Sequence, residues 1–82
     1  MMKITIYGKP NCPYCNMAKE LGEHLQNQDK ATLEYIDMLE QSMGSHTLER
    51  ITGKPVTSVP QIFINGTHIG GFAEMNRLVG GL

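Results

Sequence analysis

With 82 residues, the chain is sized for one domain spanning 1–82, and seven Lys and Arg against eight Asp and Glu leave a formal charge of −1. That balance excludes a surface built for nucleic acid or another polyanion. No apolar run approaches the ~20 residues of a membrane span, and the alternating opening Met1-Met2-Lys3-Ile4-Thr5-Ile6-Tyr7 lacks an export signal's apolar region, so the expected compartment is a reducing cytosol.

Lys3 to Tyr7 alternates, with Ile4 and Ile6 on one side, and predicts a strand. Gly8-Lys9-Pro10-Asn11 breaks it. Cys12-Pro13-Tyr14-Cys15 follows and holds the only two cysteines of the chain. Pro13 suits the first helical position, where its missing N–H costs nothing. From there Tyr14, Ala18, Leu21 and Leu25 fall on one helical face. Gly22 weakens this helix slightly, and Gln26-Asn27-Gln28-Asp29 ends it. Leu33 to Met38 predicts a second strand, joined to the first as a parallel, right-handed βαβ unit.

A shorter helix is predicted over Ser45 to Thr52, with Leu48 and Ile51 facing inward, stopped by Gly53 and Pro55. Gln61 to Ile64 and Thr67 to Ile69 flank Asn65-Gly66, a strong signal for a two-residue type I′ hairpin. Gly70-Gly71 ends the hairpin, and Phe72 to Val79 predicts a last helix with Met75, Leu78 and Val79 as its apolar face. The order β-α-β-α-β-β-α is that of an α/β protein: a four-stranded mixed sheet flanked by three helices, with helices on both faces.

The strand-to-helix turn puts Cys12 where unpaired amides and the positive end of the helix dipole favour thiolate over thiol. An ordinary thiol with pKa near 8.5 is only about 3 % ionised at pH 7, and a Cys-x-x-Cys site can lower that pKa into a range of roughly 3.5–7.5. Residues i and i+3 share a helical face, so the second sulfur can reach a mixed disulfide formed on the first. This context is a specific signal for a thioredoxin-like redox site, with Cys12 as nucleophile and Cys15 as resolving thiol. A bridge between them closes too small a loop to add much stability. A zinc module would need two more ligands, and His24, His46 and His68 show no paired spacing, so no metal is expected.

Cys12-Pro13-Tyr14-Cys15, Ser58-Val59-Pro60 and Gly70-Gly71-Phe72, in that order, together resemble the glutaredoxins of the short dithiol type. The likeness covers nearly the whole chain, including Gly53-Lys54-Pro55-Val56 and Pro60-Gln61-Ile62-Phe63-Ile64. It implies a glutathione-dependent thiol-disulfide oxidoreductase with a thioredoxin-like fold. Glutathione would be its co-substrate rather than a tightly bound cofactor, and the enzyme would work as a cytoplasmic monomer. The chain is similar to the small bacterial type that reduces ribonucleotide reductase, so disulfide-bearing protein clients and a role in deoxyribonucleotide synthesis are implied with it.

The resemblance further implies that Pro60 is cis and faces the cysteines. X-Pro is the one bond where cis costs only about 0.5–1 kcal/mol. Val59 would then pair through its backbone with the cysteinyl part of glutathione, like an added strand. Lys9 and the polar atoms near Tyr14 would sit by the glycine carboxylate. Gly71, Phe72, Ala73 and Glu74 would offer a helix N-terminus to the γ-glutamyl carboxylate. Ser58 stands where Thr is common, Phe72 where Tyr is frequent, and Ala73-Glu74 where a hydroxyl or thiol residue precedes Asp.

Other residues are read more plainly. Lys9 is also a candidate for steadying the thiolate, Lys19 is a surface residue, and Asp37 is a structural cap. His68 is explained by hairpin packing rather than proton transfer, and the methionines fill gaps. Two different functions remain to be weighed. A carrier fed by a flavoprotein reductase would show Trp before the first cysteine and Gly-Pro between the pair, which this chain lacks. A glutathione-ligated iron–sulfur carrier with Cys12 on iron is disfavoured by Pro13, since the resemblance implies that cluster-holding relatives lack that ring.

Overall fold

Residues 1–56 and 58–82 are described by the structure, a computed structural model. They form β1 (Met2–Gly8), α1 (Pro13–Asn27), β2 (Ala31–Asp37), α2 (Ser45–Thr52), β3 (Gln61–Ile64), β4 (Thr67–Gly70) and α3 (Phe72–Val79). The sheet order is β2-β1-β3-β4. β1 runs parallel to β2, from Met2 opposite Ala31 to Gly8 opposite Asp37, and antiparallel to β3, from Ile4 opposite Ile64 to Tyr7 opposite Gln61. This is the four-stranded mixed sheet expected from the element order, and the thioredoxin-like architecture that the resemblance implies.

Alternation along β1 divides the core between the two sheet faces. Ile4 and Ile6 are fully buried on one face with Ile62, covered by Ala18 and Leu25 of α1 and Met75 and Val79 of α3. Tyr7 points the other way, to a smaller cluster of Met38, Leu48 and Val56 beneath α2. Each fully buried Ile, Leu or Met contributes roughly 1.5–3 kcal/mol relative to exposure. The sheet is therefore sandwiched between α1 and α3 on one side and α2 on the other.

Three apolar side chains expected inside are not. Tyr14 is 62 % exposed, Ile51 39 % and Leu78 59 %. The buried stripe of α1 is Cys15, Ala18, Gly22 and Leu25, rotated from the predicted face so that the second cysteine points inward. Gly22 has a reason beyond helix propensity: a Cβ there would lie 2.8 Å from Leu33 Cδ1, so the missing side chain lets α1 settle onto β2. On the edge strand β2, the Leu33 N–H donates to Gln26 Oε1 at 2.7 Å. β2 also starts earlier than expected, at Ala31, whose small side chain is buried under α1.

The hairpin turn has φ of 51° at Asn65 and 82° at Gly66, the left-handed pair that the Asn-Gly signal predicts. Asn65 also ties the turn back to β1, its Oδ1 accepting from Lys3 N at 2.9 Å. The β3–β4 ladder is irregular: Phe63 pairs with His68 but Ile62 pairs with Gly70, which leaves Ile69 as an extra residue.

Candidate functional site

β1 delivers the chain to the helix that carries the cysteines. Cys12 is the N-cap of α1, with extended backbone (φ −117°, ψ 105°), and Pro13 opens the helix. The Cys15 N–H donates to Cys12 Sγ at 3.2 Å, so the sulfur takes the capping position that a Ser or Asp oxygen often fills. The two cysteines form a disulfide with a Cα–Cα distance of 5.2 Å. Cys12 is half-buried while Cys15 is fully buried, so an incoming sulfur meets Cys12 first.

Behind Cys15 the packing is tight. A Cβ on Gly8 would stand 3.1 Å from Cys15 Cβ and 2.9 Å from the Tyr35 ring carbon Cζ. Glycine at the end of β1 thus lets the inner sulfur and the Tyr35 phenol approach the same backbone. Burial, helped by the nearby Asp37 charge, raises the Tyr35 pKa and keeps the phenol protonated. Lys19 Nζ lies 5.0 Å from the centre of that ring, so this expected surface residue has an aromatic neighbour. Asp37 Oδ1 accepts from the Leu39 and Glu40 amides at 3.0 and 3.1 Å, the structural cap that was expected.

Facing Cys12 is the segment Ser58-Val59-Pro60, and the Val59–Pro60 bond is cis. The Val59 carbonyl oxygen lies 3.8 Å from Cys12 Sγ. A disulfide sulfur has no proton to donate, so this approach is proximity rather than a hydrogen bond. It leaves an extended backbone segment beside the sulfur that reacts. Lys9 is exposed and shares a small depression with Ser58 and Val59.

The start of α3 closes the other side. Phe72 stacks on Tyr14, with centroids 6.3 Å apart and planes 28° off parallel, so the exposed Tyr14 belongs to the rim of the site. Glu74 Oε1 accepts the Gly71 N–H at 2.7 Å. The Gly71 amide is thereby paired within its own chain. Ala73 is exposed, and the first-turn amides of Phe72 and Ala73 have no acceptor within the helix. The structure thus brings Cys12, Cys15, Tyr14, Ser58, Val59, Pro60, Phe72 and Lys9 around one end of the sheet.

Gln61, which was not among the expected site residues, lies behind the loop that faces Cys12. It is only 8 % exposed, its Nε2 donates to the Ser58 carbonyl at 2.9 Å, and its Oε1 lies 2.7 Å from His68 Nε2. Its position directly after Pro60 was the available signal. A groove of about 690 Å³ runs along β2 past Tyr35, Asp37 and Glu40 and holds neither cysteine. Chemistry is centred on the two sulfurs. Among the described residues no group of three or more His, Cys, Asp or Glu is arranged to hold a metal ion, and no helix is long and apolar enough to cross a membrane.

The glutaredoxin family model matches residues 4–69. The chain is 46 % identical over 74 residues to Glutaredoxin 1 of Salmonella typhimurium, covering 89 % of this chain and 85 % of that protein. The solution structure of reduced Escherichia coli glutaredoxin superposes with a TM-score of 0.84 at 38 % identity, over 96 % of this chain and 94 % of that one. A buckwheat glutaredoxin–glutathione complex superposes with a TM-score of 0.71 at 30 % identity, over 95 % of this chain and 69 % of that one.

Proposed function

This chain belongs to the glutaredoxin family and is a thiol-disulfide oxidoreductase, and from that premise we propose that it draws its electrons from glutathione, with Cys12 as the attacking sulfur and Cys15 as the resolving one. The observation that carries the assignment is the asymmetry of the pair. Cys12 is the accessible sulfur at the helix start, it accepts the Cys15 amide, and it faces the Val59 backbone, while Cys15 is sealed behind it. An amide aimed at a sulfur stabilises negative charge there.

In the reducing direction, the Cys12 thiolate attacks one sulfur of a client disulfide. A Cys12–client bond forms, and the other client sulfur leaves as a thiolate. Cys15, as thiolate, then attacks Cys12 Sγ. The Cys12–Cys15 disulfide closes, as it stands in this structure, and the client departs with both thiols reduced. Glutathione thiolate attacks Cys12 to form a mixed disulfide and frees Cys15. A second glutathione attacks the glutathione sulfur of that adduct, releasing glutathione disulfide and the starting dithiol. One client disulfide is reduced and two glutathione thiols are oxidised.

Glutathione would lie along the face already described. Val59 pairs with its cysteinyl backbone, and Lys9 with the atoms near Tyr14 meets its glycine carboxylate. Phe72 and Ala73 amides meet its γ-glutamyl carboxylate, with Gly71 and Glu74 shaping the helix start. Ser58 and Pro60 frame the loop. The buckwheat relative, solved as a glutathione complex, supports this reading. On the same reading the enzyme is a monomeric, single-domain cytoplasmic protein acting on protein disulfides. Ribonucleotide reductase, and through it deoxyribonucleotide synthesis, suits its likeness to the bacterial short-chain members.

The test is turnover of a glutathione mixed disulfide with glutathione as the sole reductant, recycled by glutathione reductase. Turnover is expected. Failure with glutathione, alongside reduction by a thioredoxin-type flavoprotein, would reassign the protein as a carrier of the other class.

A further inference from the structure

We propose that His68, acting through Gln61, is a positioning residue for the loop that faces Cys12. This rests on the glutathione-dependent reading and deepens it by naming what holds the substrate-pairing backbone in place.

The hydrogen-bond chemistry fixes every orientation in the chain of contacts. Gln61 Nε2 lies 2.9 Å from the Ser58 carbonyl oxygen, which only accepts, so the amide nitrogen must face the loop. Turning the amide over would set oxygen against oxygen. Gln61 Oε1 therefore faces His68 Nε2 at 2.7 Å, and since an amide oxygen cannot donate, Nε2 must carry the proton. A neutral imidazole has one N–H, so Nδ1 is a bare acceptor. Nδ1 is also the buried side-chain atom that has no partner among the described residues.

That orphaned nitrogen argues against packing as the whole reason for the histidine. The ring does pack, tilted 40° on Phe63 at a centroid distance of 5.0 Å, and Phe63 meets Tyr7 edge-on at 5.8 Å. An apolar ring would pack there as well without burying an unsatisfied acceptor, which is costly. What the histidine adds is the Nε2–H that holds Gln61. The two-residue turn sets His68 opposite Phe63, and from there its ring leans two residues back along β3 to Gln61. Gln61 in turn ties down Ser58, whose neighbour Val59 has its carbonyl oxygen 3.8 Å from Cys12 Sγ. His68 touches neither sulfur, so it acts on binding and leaves sulfur reactivity alone.

Two measurements test this. In the intact oxidised protein, long-range ¹H–¹⁵N correlation should show His68 protonated at Nε2 near neutral pH; protonation at Nδ1 would overturn the proposal. In kinetics, His68→Phe keeps a ring on Phe63 and deletes the donor. It should raise KM for a glutathione–peptide mixed disulfide about threefold to tenfold, the size of one lost neutral hydrogen bond. The kcat and the rate at which iodoacetamide alkylates reduced Cys12 should stay within about twofold. Gln61→Glu keeps the acceptor for His68 but cannot donate to Ser58 when ionised, and it should give the same KM rise even if His68→Phe does not fold. In the double variant the effects should not add. An unchanged KM in Gln61→Glu, additive effects, or parallel loss of kcat and alkylation rate would each overturn the assignment. Loss of mixed-disulfide turnover in the unaltered protein would instead count against the glutathione reading, which the tautomer measurement does not probe.

Discussion

Glu74 closes the start of its own helix by accepting the Gly71 amide at 2.7 Å. Donation from Gly71, then from its own amide, holds the Glu74 carboxyl below its ordinary pKa of 4.5, and Arg77 adds to that pull. The folded pKa lies below the unfolded one, so the contribution to stability is present above the ordinary carboxylate range and is lost as pH falls through the folded pKa. Wild type should exceed Glu74→Gln in thermal midpoint at neutral pH, and the gap should close in acid. A gap that persists at pH 2 would contradict this.

The two cysteines should separate by substitution. Cys12→Ser is expected to abolish every disulfide exchange activity. Cys15→Ser should still reduce glutathione mixed disulfides, because a second glutathione can resolve the adduct, but should lose most protein-disulfide reduction. Paired assays with both substrate types check this, and equal losses from the two variants would refute the division of roles.

Gly8→Ala should destabilise the fold by about 1–3 kcal/mol, the usual cost of forcing a methyl group into a packed site. The added carbon meets the Tyr35 phenol and Cys15 Cβ. Tyr35→Phe removes the closest of those atoms, so the double variant should recover part of the loss. Urea unfolding of the single and double variants measures both effects. An unaltered midpoint for Gly8→Ala would show that the end of β1 has slack.

His68 supplies a second pH signature. Burial, with Lys54 adding to it, lowers the His68 pKa below its ordinary 6.5. The unfolded chain then binds the proton more readily, so this contribution to stability is intact above pH 6.5 and fades as pH falls toward the folded value. Stability measured between pH 7.5 and about 5 should fall more steeply for wild type than for His68→Phe. Identical slopes would mean that His68 titrates as freely folded as unfolded.

Much of this was legible from local chemistry. Alternation in β1, the proline after Cys12 and the Asn65-Gly66 pair each answer a constraint within a few residues, so each can be read without the fold. Exposure of Tyr14, Ile51 and Leu78 is different. Helical spacing shows that a face is apolar but not how far it is rotated, and here α1 turns Cys15 and Gly22 toward the sheet, leaving Tyr14 to stack on Phe72. In the sequence His68 reads as hairpin packing and Gln61 has no role, because a polar residue in a short strand suggests a wetted face. Only the arrangement of the loop, the bulge and the hairpin shows that Gln61 and His68 Nδ1 are buried there. Glu74 was visible as a departure from the family pattern, but its return to Gly71 is a matter of rotamer.

An enzyme that seizes passing polypeptides by sulfur must avoid adhering to them by other means. Its sheet ends on one flank in β2, where an unfilled main-chain donor would invite a stray extended segment to zip alongside. Gln26 reaches across and occupies the Leu33 amide, blunting that flank. One backbone donor fewer is thus left on that flank for a foreign strand to pair with.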